Sequence, residues 1–282
     1  MQGSLGWAII KFLESGKWKN RAPDTRRNQR PILDHLRETY GPGLLIHLDH
    51  RTVKGIHKQI TKAFSTSTAD IALGLLSAVW KYADRFLEVD LSANPTRDVA
   101  RVHESTKEHE PWPTDVIEAF DKAAPATIRL ARLLAYYTGQ RRLDLVQMDW
   151  ARFNGERIEV VCQSKSGGYL SIPCHPALLA ALLPIRKQSG PIIAAHGRPY
   201  TANSLSNAFR KIFRQIGVDG YSVHGLRKNA AVALAEVGCE PHEIMAITGH
   251  KTLAMVTHYT KRANQKLLAD RAMEKWKTAK SG

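Results

Sequence analysis

Apolar residues recur at helical spacing along most of this chain, and a single region alternates instead as a pair of strands would. The longest helical pattern covers residues 68–88 and places Ile71 on its apolar stripe. Arg157–Val161 and Tyr169–Pro173 alternate with a period of two around a turn that contains Lys165, which predicts a β-hairpin. The sequence therefore predicts a mainly α protein with one small β-sheet, an α+β fold class.

The helical patterns form two groups on either side of a charged segment. Further helices are predicted at 5–13, 24–37, 52–64, 114–123, 126–137, 176–187, 202–216, 225–237, 241–248 and 262–277. Pro31 predicts a start or a kink in the second of these helices. Residues 97–113 are poor in apolar side chains and end in two prolines. We therefore expect a helical domain at 1–98, a linker at 99–111, and a second domain with a C-terminal tail helix at 112–282.

The charge balance indicates a polyanionic partner. The chain has 41 Lys and Arg against 26 Asp and Glu, a formal charge of +15, and most of the excess follows residue 110. A well-solvated surface is the alternative explanation of this charge. Three cysteines are too few and too scattered for a disulfide framework or a zinc site, which fits a reducing, cytoplasmic compartment. No run of about 18 apolar residues is present, so we expect no membrane partner.

Cutting a DNA phosphodiester without a metal ion requires particular side chains. Negative charge builds on the non-bridging phosphate oxygens in the transition state, and guanidinium groups match those oxygens with a planar fork that stays charged. The departing 5′ oxygen needs a proton, which Lys or His can supply. A Tyr hydroxyl can act as the nucleophile and form a phosphotyrosine.

Candidates for the anion-binding role lie in the motif TGQRRLD at residues 138–144. Its glycine ends an apolar helix and places Arg141 at the start of the next helix, where the N-terminus favours anions. Asp144 follows three residues later and can hold the guanidinium. A surface arginine pair would show the same local pattern, and the hairpin lysine, Lys165, would by itself be an ordinary solvated side chain.

The remaining candidates lie nearer the C-terminus. His224 and Arg227, in the motif HGLR, share one face at the start of an apolar helix. Gly249 is expected to end another helix as a C-cap, and His250 follows it. Tyr259 stands nine residues later in the motif THY, and alone it would be a half-buried packing residue.

Taken together and in this order, these motifs resemble those of the tyrosine recombinases, which include phage integrases and the recombinases of mobile elements and chromosome-dimer resolution. The family pattern is T-G-x-R-x-x-E/D, a hairpin lysine, H-x-x-R, G-H, and a tyrosine about nine positions later. The matching stretches are TGQRRLD, QSKSGG, HGLR, GH and THY, within about residues 112–262. The N-terminal helical third resembles the family's core-binding domain by placement and helical content only.

The resemblance implies a role for each motif residue. The catalytic set that it implies is Arg141, Lys165, His224, Arg227, His250 and Tyr259, with Asp144 in support. The two arginines would clamp the scissile phosphate, and the aspartate would hold the first of them. The lysine would be the general acid toward the 5′ oxygen, and the two histidines would hydrogen-bond the phosphate and assist proton transfer. The tyrosine would attack, giving a 3′-phosphotyrosine and a free 5′ hydroxyl.

The resemblance also implies partners and an assembly. It implies a reaction without cofactor or metal, and a C-shaped clamp around double-stranded DNA. The protein would be a monomer without DNA and a homotetramer on two duplexes, exchanging strands through a Holliday junction, with accessory DNA-bending proteins among its partners. The predicted tail helix would pack on a neighbouring protomer, or alternatively on its own domain. The expected location is the bacterial cytoplasm, on the nucleoid when bound to DNA.

Some features depart from the family pattern. Gly225 stands in the HGLR motif where Asp is more frequent, and Lys228 follows the motif where a histidine or aromatic side chain is more usual. Arg142 beside Arg141 offers a second register, although the spacing from the preceding glycine favours Arg141. The chain has no room for the arm-binding domain that many phage integrases carry first. We therefore expect either a simple recombinase or a truncated one.

Three other interpretations remain open from the sequence. A type IB topoisomerase with a similar tyrosine site would relax any duplex as a monomer. A non-catalytic DNA-binding relative would explain the charge, but not a complete set of competent side chains. A metal-dependent nuclease or transposase would need clustered carboxylates. The candidates for that role show no catalytic spacing and are Asp115, Asp121, Asp144 and Asp149.

Overall fold

The computed structural model forms two compact units, Met1–Thr106 and Lys107–Gly282. The residues that it describes are 1–91, 93–103, 110–161, 168–195, 197–260, 269–270, 272–274 and 276–277, with the backbone alone at 161 and 258–260. None of the helices in these ranges is long and apolar enough to cross a membrane. The same ranges contain no group of three or more His, Cys, Asp or Glu side chains arranged to hold a metal ion.

The first unit is a helical bundle built around one central helix. Its helices are α1 (Leu5–Glu14), α2 (Gly16–Lys19), α3 (Pro23–Tyr40), α4 (His50–Ala63) and α5 (Thr66–Phe86), with a 3₁₀ turn at Leu45–His47. Because α1, α3 and α4 all pack against α5, that helix is buried on more than one side. Leu75, Val79 and Trp80 are buried, but Ile71 is 41% exposed, so its predicted place on the buried stripe is wrong.

Local sequence explains where these helices begin. The side chains of Ser4, Ser15, Asp49 and Ser65 accept hydrogen bonds from the first turns of α1, α2, α4 and α5. Helix α3 instead starts at Pro23 and runs through Pro31, which neither begins nor ends it. The buried side chains of Leu33 and Leu36 lie beyond this proline, and their packing holds the second half of the helix in place.

A buried contact between His57 and Asp70 fixes the segment that leaves the first unit. Asp70 Oδ1 lies 2.8 Å from Nε2 of His57, whose side chain is 6% exposed. The same carboxylate accepts hydrogen bonds from the backbone N–H groups of Val102 at 3.2 Å and His103 at 3.0 Å. Burial alone would raise the pKa of Asp70, but the hydrogen bonds from His57, His103 and Val102 outweigh it and hold that pKa below its usual value.

The second unit is mainly helical and contains two small antiparallel sheets. Its helices are α6 (Thr114–Ala123), α7 (Ala126–Thr138), α8 (Arg142–Val146), α9 (Pro176–Leu182), α10 (Ala202–Gln215), α11 (Val223–Glu236), α12 (Pro241–Thr248) and α13 (Leu253–Thr260). Strands β1 (Arg157–Val161) and β2 (Tyr169–Pro173) pair as predicted, with Arg157 opposite Pro173. Strands β3 (Ala194–Ala195) and β4 (Arg198–Pro199) form a second sheet that was not predicted. The mainly α, α+β class is confirmed.

The C-terminal helices differ from the sequence-based expectation. Helix α13, which carries Tyr259, was not predicted, and the predicted helix at 262–277 falls largely outside the described residues. Val256 of α13 is fully buried in one cluster with Ala231 and Ala235 of α11. Contact with α11, rather than a strong apolar period of its own, therefore stabilises α13.

The core of the second unit centres on four aromatic rings. The ring centroid of Trp112 lies 5.0 Å from that of Phe120 and 4.8 Å from that of Phe213. The ring centroid of Phe209 lies 5.9 Å from that of Trp112 and 5.0 Å from that of Phe120. These edge-on arrangements add to the area that the rings bury. The cluster joins α6 and α10 to the segment that precedes α6.

Two helices of this unit end in the same way. Thr138 at the end of α7 and Thr248 at the end of α12 each donate a side-chain hydrogen bond of 2.6 Å to the carbonyl four residues earlier. Each is followed by a left-handed glycine, Gly139 with φ +61° and Gly249 with φ +70°. The two ends meet, because a Cβ placed on Gly139 would lie 2.7 Å from Thr248 Cγ2. Glycine is therefore required at position 139 for both backbone conformation and space.

We predict that Gly139→Ala destabilises the protein by about 2–5 kcal/mol, since the left-handed conformation and the contact with Thr248 both oppose a methyl group. Urea denaturation would measure the loss. Gly217→Ala is the matched control, because Gly217 has φ +73° but nothing within 4 Å of an added Cβ. The control should lose about 1–2 kcal/mol. Equal losses in the two variants would contradict the proposed contact.

We predict that Asp70→Asn destabilises the first unit by about 1–3 kcal/mol at pH 7, because the hydrogen bonds to its charged carboxylate are weakened. The depressed pKa of Asp70 stabilises the fold above about pH 4, and this stabilisation is lost as pH falls through the folded-state value. Hydrogen exchange of α4 and α5 should therefore differ between variant and parent at pH 7 and converge in acid. Asp84→Asn, at an exposed position of α5, should behave like the parent at both pH values.

Candidate active site

Arg227 of α11 joins three helices through one buried guanidinium. The residue is 1% exposed. Its Nη1 donates to the backbone carbonyl of Gly139 at 2.6 Å and to that of Thr248 at 2.5 Å. Carbonyls at helix C-terminal ends lack partners within their own helix, so this arginine satisfies groups at the ends of α7 and α12. The position of Arg227 is consequently fixed by both helix ends.

His250 completes this arrangement as a neutral imidazole. Its Nε2 accepts a hydrogen bond from Nε of Arg227 at 3.2 Å, so Nε2 carries no proton. Its Nδ1 lies 2.7 Å from Thr248 Oγ1, and that hydroxyl donates its own hydrogen to the carbonyl of Ile244. The hydroxyl therefore accepts from Nδ1–H, which assigns the proton to Nδ1.

The electrostatic surroundings of His250 agree with this assignment. Burial lowers its pKa to about 3, with further lowering by the charges of Arg227, Arg141 and His224. The ring is thus uncharged at neutral pH and holds Arg227 by accepting a hydrogen bond. The same charges identify a local concentration of positive groups around the ring.

Of the two neighbouring arginines, Arg141 is the one that adds to this positive cluster. It precedes α8 as its N-cap residue, and its Nη1 is buried without a hydrogen-bond partner among the described residues. Arg142 is exposed and donates from Nη1 to Ser206 Oγ at 2.7 Å. A buried guanidinium nitrogen with no partner is costly unless an acceptor such as an anion reaches it.

The other sequence-predicted residues occupy different surroundings. His224 is exposed in the first turn of α11, which begins two residues earlier than predicted and so includes this histidine. Asp144 is 1% exposed in the first turn of α8. Tyr259 lies on α13, and its side chain is outside the described part of the structure. Lys165 also lies outside the described residues, between the ends of β1 and β2.

Sequence reasoning missed two buried polar residues next to this cluster. Thr248 is fully buried and contributes both its hydroxyl, to His250, and its carbonyl, to Arg227. Gln140 is 1% exposed and donates from Nε2 to the carbonyls of Thr138 at 2.8 Å and Ile247 at 2.9 Å. The repeated Thr-Gly pair at 138–139 and 248–249 is the signal in the sequence that could have identified them.

The cluster is suited to holding an anion with two or more oxygens. Two guanidinium groups, of which that of Arg227 is buried, and the N-terminal end of α11 bring positive charge to one place. Within the described residues, the structure brings together Arg141, His224, Arg227 and His250. This fits the binding of a phosphate group.

Known structures share the fold of this chain. A lambda integrase fragment, solved as a dimer bound to a COC′ core site, matches with a TM-score of 0.78 and 21% identity, covering 91% of this chain and 95% of that one. A lambda integrase tetramer bound to a Holliday junction matches with a TM-score of 0.75 and 21% identity, covering 88% of this chain and 78% of that one. The Tn1549 transposon integrase, solved with circular intermediate DNA, matches with a TM-score of 0.77 and 16% identity, covering 98% of this chain and 100% of that one. No curated protein matches the chain by sequence.

The sequence match to a protein family is more direct evidence than these structural likenesses. The phage integrase family matches residues 114–266, which is more than half of the chain. This span contains every motif residue from Arg141 to Tyr259. The chain therefore belongs to the phage integrase family, the site-specific tyrosine recombinases that cut and rejoin DNA strands.

Proposed function

We propose that this protein exchanges DNA strands through a 3′-phosphotyrosine at Tyr259, without a metal ion or a high-energy cofactor. The supporting observation is the buried positive cluster around the neutral ring of His250, in which Arg227 is held by two helix ends. Nη1 of Arg141, which has no hydrogen-bond partner in the part of the chain that the structure describes, lies beside this cluster. Such a site is prepared for the charge of a phosphate before DNA arrives.

In the proposed reaction, Arg141 and Arg227 hold the non-bridging oxygens of the scissile phosphate. Negative charge on these oxygens increases as the phosphorus gains a fifth oxygen ligand, so fixed cations stabilise the transition state more than the bound substrate. Asp144 is proposed to support Arg141 from the first turn of α8. Because the arginines lie in place already, little reorganisation is needed during the reaction.

Three further side chains are proposed to transfer a proton, to bind the phosphate and to hold Arg227 in place. Lys165 is the proposed general acid toward the departing 5′ oxygen, an assignment that rests on the motif pattern. His224, exposed at the start of α11, is the proposed hydrogen-bond donor to the phosphate. His250 is proposed to act mainly through Arg227, because both of its ring nitrogens have protein partners and its pKa is lowered to about 3.

Tyr259 is the proposed nucleophile. The phenol gives up its proton to solvent as its oxygen forms a bond to phosphorus, the bond from phosphorus to the 5′ oxygen breaks, and the 5′ oxygen takes up a proton from Lys165, the proposed general acid. The bond energy is kept in the phosphotyrosine, so a 5′ hydroxyl from another strand can reverse the step and rejoin the DNA. The backbone of α13, which carries this tyrosine, is anchored to α11 by the fully buried Val256.

The proposed assembly is based on the assemblies in which similar proteins have been solved. Lambda integrase has been solved as a dimer on a core site and as a tetramer on a Holliday junction. We propose that this chain is a monomer without DNA and forms a homotetramer on two duplexes, with accessory DNA-bending proteins among its partners. Residues 1–98 are the proposed core-binding domain, 99–111 the linker and 112–282 the catalytic domain. The tail helix is proposed to pack on a neighbouring protomer.

We predict that a nicked, trapping duplex that carries the proper core site yields a covalent protein–DNA adduct in the presence of EDTA. Tyr259→Phe should abolish the adduct, because the nucleophilic oxygen is removed while the ring remains. Tyr221→Phe serves as the matched control, since Tyr221 packs against the aromatic core and lies outside the proposed site. Denaturing gel electrophoresis measures the adduct. Absence of an adduct from the unmodified protein would defeat the enzymatic proposal and leave the non-catalytic DNA-binding interpretation.

The DNA products made from intact substrates separate a recombinase from a topoisomerase. Recombinant products from two core sites support the recombinase, whereas relaxation of any supercoiled plasmid without recombinants supports the topoisomerase.

We predict that His250→Gln retains most of the rate of adduct formation and that His250→Ala loses much more, because an amide oxygen can still accept from Arg227. The pH–rate profile of the glutamine variant should parallel that of the parent between pH 5 and 8, since the pKa of His250 lies near 3. Single-turnover kinetics measure both. Loss of an ionisation from the glutamine profile in this range would show that His250 titrates there.

The lowered pKa has a second consequence for folding. The folded state favours neutral His250, while in the unfolded chain its pKa would be about 6.5. Stability from this group is therefore present above about pH 6.5 and is lost as pH falls toward 3.

A further inference from the structure

The segment just before α6 contacts the helix that carries Arg227. The backbone N–H of Trp112 donates to Asn229 Oδ1 at 2.7 Å, and Asn229 Nδ2 donates to the carbonyl of Trp112 at 2.8 Å. The indole N–H of Trp112 donates to the carbonyl of Ser222, the N-cap residue of α11, at 2.8 Å. Three hydrogen bonds therefore attach one residue of this segment to two turns of α11.

Gly225 makes this close approach possible. A Cβ at this position would lie 2.3 Å from the carbonyl oxygen of Glu110 and 2.9 Å from Cδ1 of Trp112, closer than real Cβ atoms come to any neighbour. Glycine inside a helix costs about 1 kcal/mol relative to alanine. The glycine that departs from the family pattern is therefore explained by the segment that packs on it.

The attachment lies on the side of α11 that faces away from Arg227. Successive residues of an α-helix are rotated by about 100°, so Arg227, two residues from both Gly225 and Asn229, lies about 160° around the helix from each. On its own side, Arg227 is held by the carbonyls of Gly139 and Thr248. Helix α11 is thus fixed between the segment at 110–113 on one side and the ends of α7 and α12 on the other.

We propose that residues 110–113 act as a strap that holds α11 in register, and that Trp112 and Asn229 are positioning residues for strand cleavage through Arg227 and His224. The inference rests on the function proposed above for these two side chains. Trp112 is 2% exposed and packs among Phe120, Phe209 and Phe213, so the strap is anchored in the core. In the sequence it begins at residue 110, shortly after the first unit ends at Thr106.

The test compares two variants that release the strap by different means. Gly225→Ala adds the clashing methyl group and raises helix propensity, whereas Asn229→Leu keeps the side-chain size and removes both hydrogen bonds to Trp112. Gly55→Ala is the matched control, because Gly55 is a helical glycine with nothing within 4 Å of an added Cβ. Exchange of the Trp112 indole N–H, followed by NMR, reports whether the strap is released.

The expected result is faster exchange at Trp112 in both strap variants and a shift of the His250 ring nitrogen signals, as the bond from Arg227 weakens. Affinity for core-site DNA should stay within about threefold, while the single-turnover rate of adduct formation falls about 10- to 100-fold, because small misplacement of catalytic groups costs rate rather than binding. The fall in rate relative to the parent should be smaller on a duplex with a neutral methylphosphonate at the scissile position, because a methylphosphonate lacks the charge that Arg227 is proposed to neutralise. The control should match the parent throughout.

The outcomes separate this inference from the proposed function. Suppose that exchange of the Trp112 indole N–H becomes faster while the His250 ring nitrogen signals or the rate of adduct formation stay unchanged. That result would overturn the proposal that the strap positions α11. Undisturbed exchange at Trp112 in both variants would overturn it as well. If the unmodified protein forms no adduct, the proposed function fails, and the His250 signals still decide whether the strap positions α11.

Discussion

The buried guanidinium of Arg227 is the interaction on which the second unit depends. It satisfies carbonyls at the ends of α7 and α12 while it lies on α11, and it also donates to the neutral ring of His250. Removing such a partner leaves buried acceptors unpaired, which costs more than a surface hydrogen bond contributes. The fold and the proposed chemistry therefore use the same side chain, and the proposed phosphate site is already assembled in the protein alone.

This constraint explains the sequence around the site. Two helices must end where their carbonyls can meet one arginine, and each ends in a threonine followed by a left-handed glycine. Gly139 is close enough to Thr248 that no side chain fits between them. On the opposite side of α11, Gly225 leaves room for residues 110–112 in the same manner. The glycines at 139 and 225 thus set how closely the elements around Arg227 can approach. Gly249 supplies the left-handed end of α12.

Much of the fold could be predicted, because its elements have strong local signals. The hairpin at 157–173 and the helices at 114–123 and 241–248 match their apolar periods and their turn or cap residues. Helix α13 was missed because its burial rests on Val256 contacting α11, a tertiary effect. The exposure of Ile71 was missed because α5 is surrounded on several sides, so a single stripe does not describe its burial.

For the site, the sequence by itself determined the motif residues and their order, since family membership is carried by residue identity and spacing. The spacing from Gly139 favoured Arg141 over Arg142, and the structure places Arg141 at the positive cluster while Arg142 is exposed and hydrogen-bonded to Ser206. Only the tertiary structure decided that His250 is neutral with its proton on Nδ1. It also decided why position 225 is glycine. These properties depend on burial and, for Arg227 with His250 and Glu110 with Gly225, on partners more than 20 residues away in the chain, which no local pattern records.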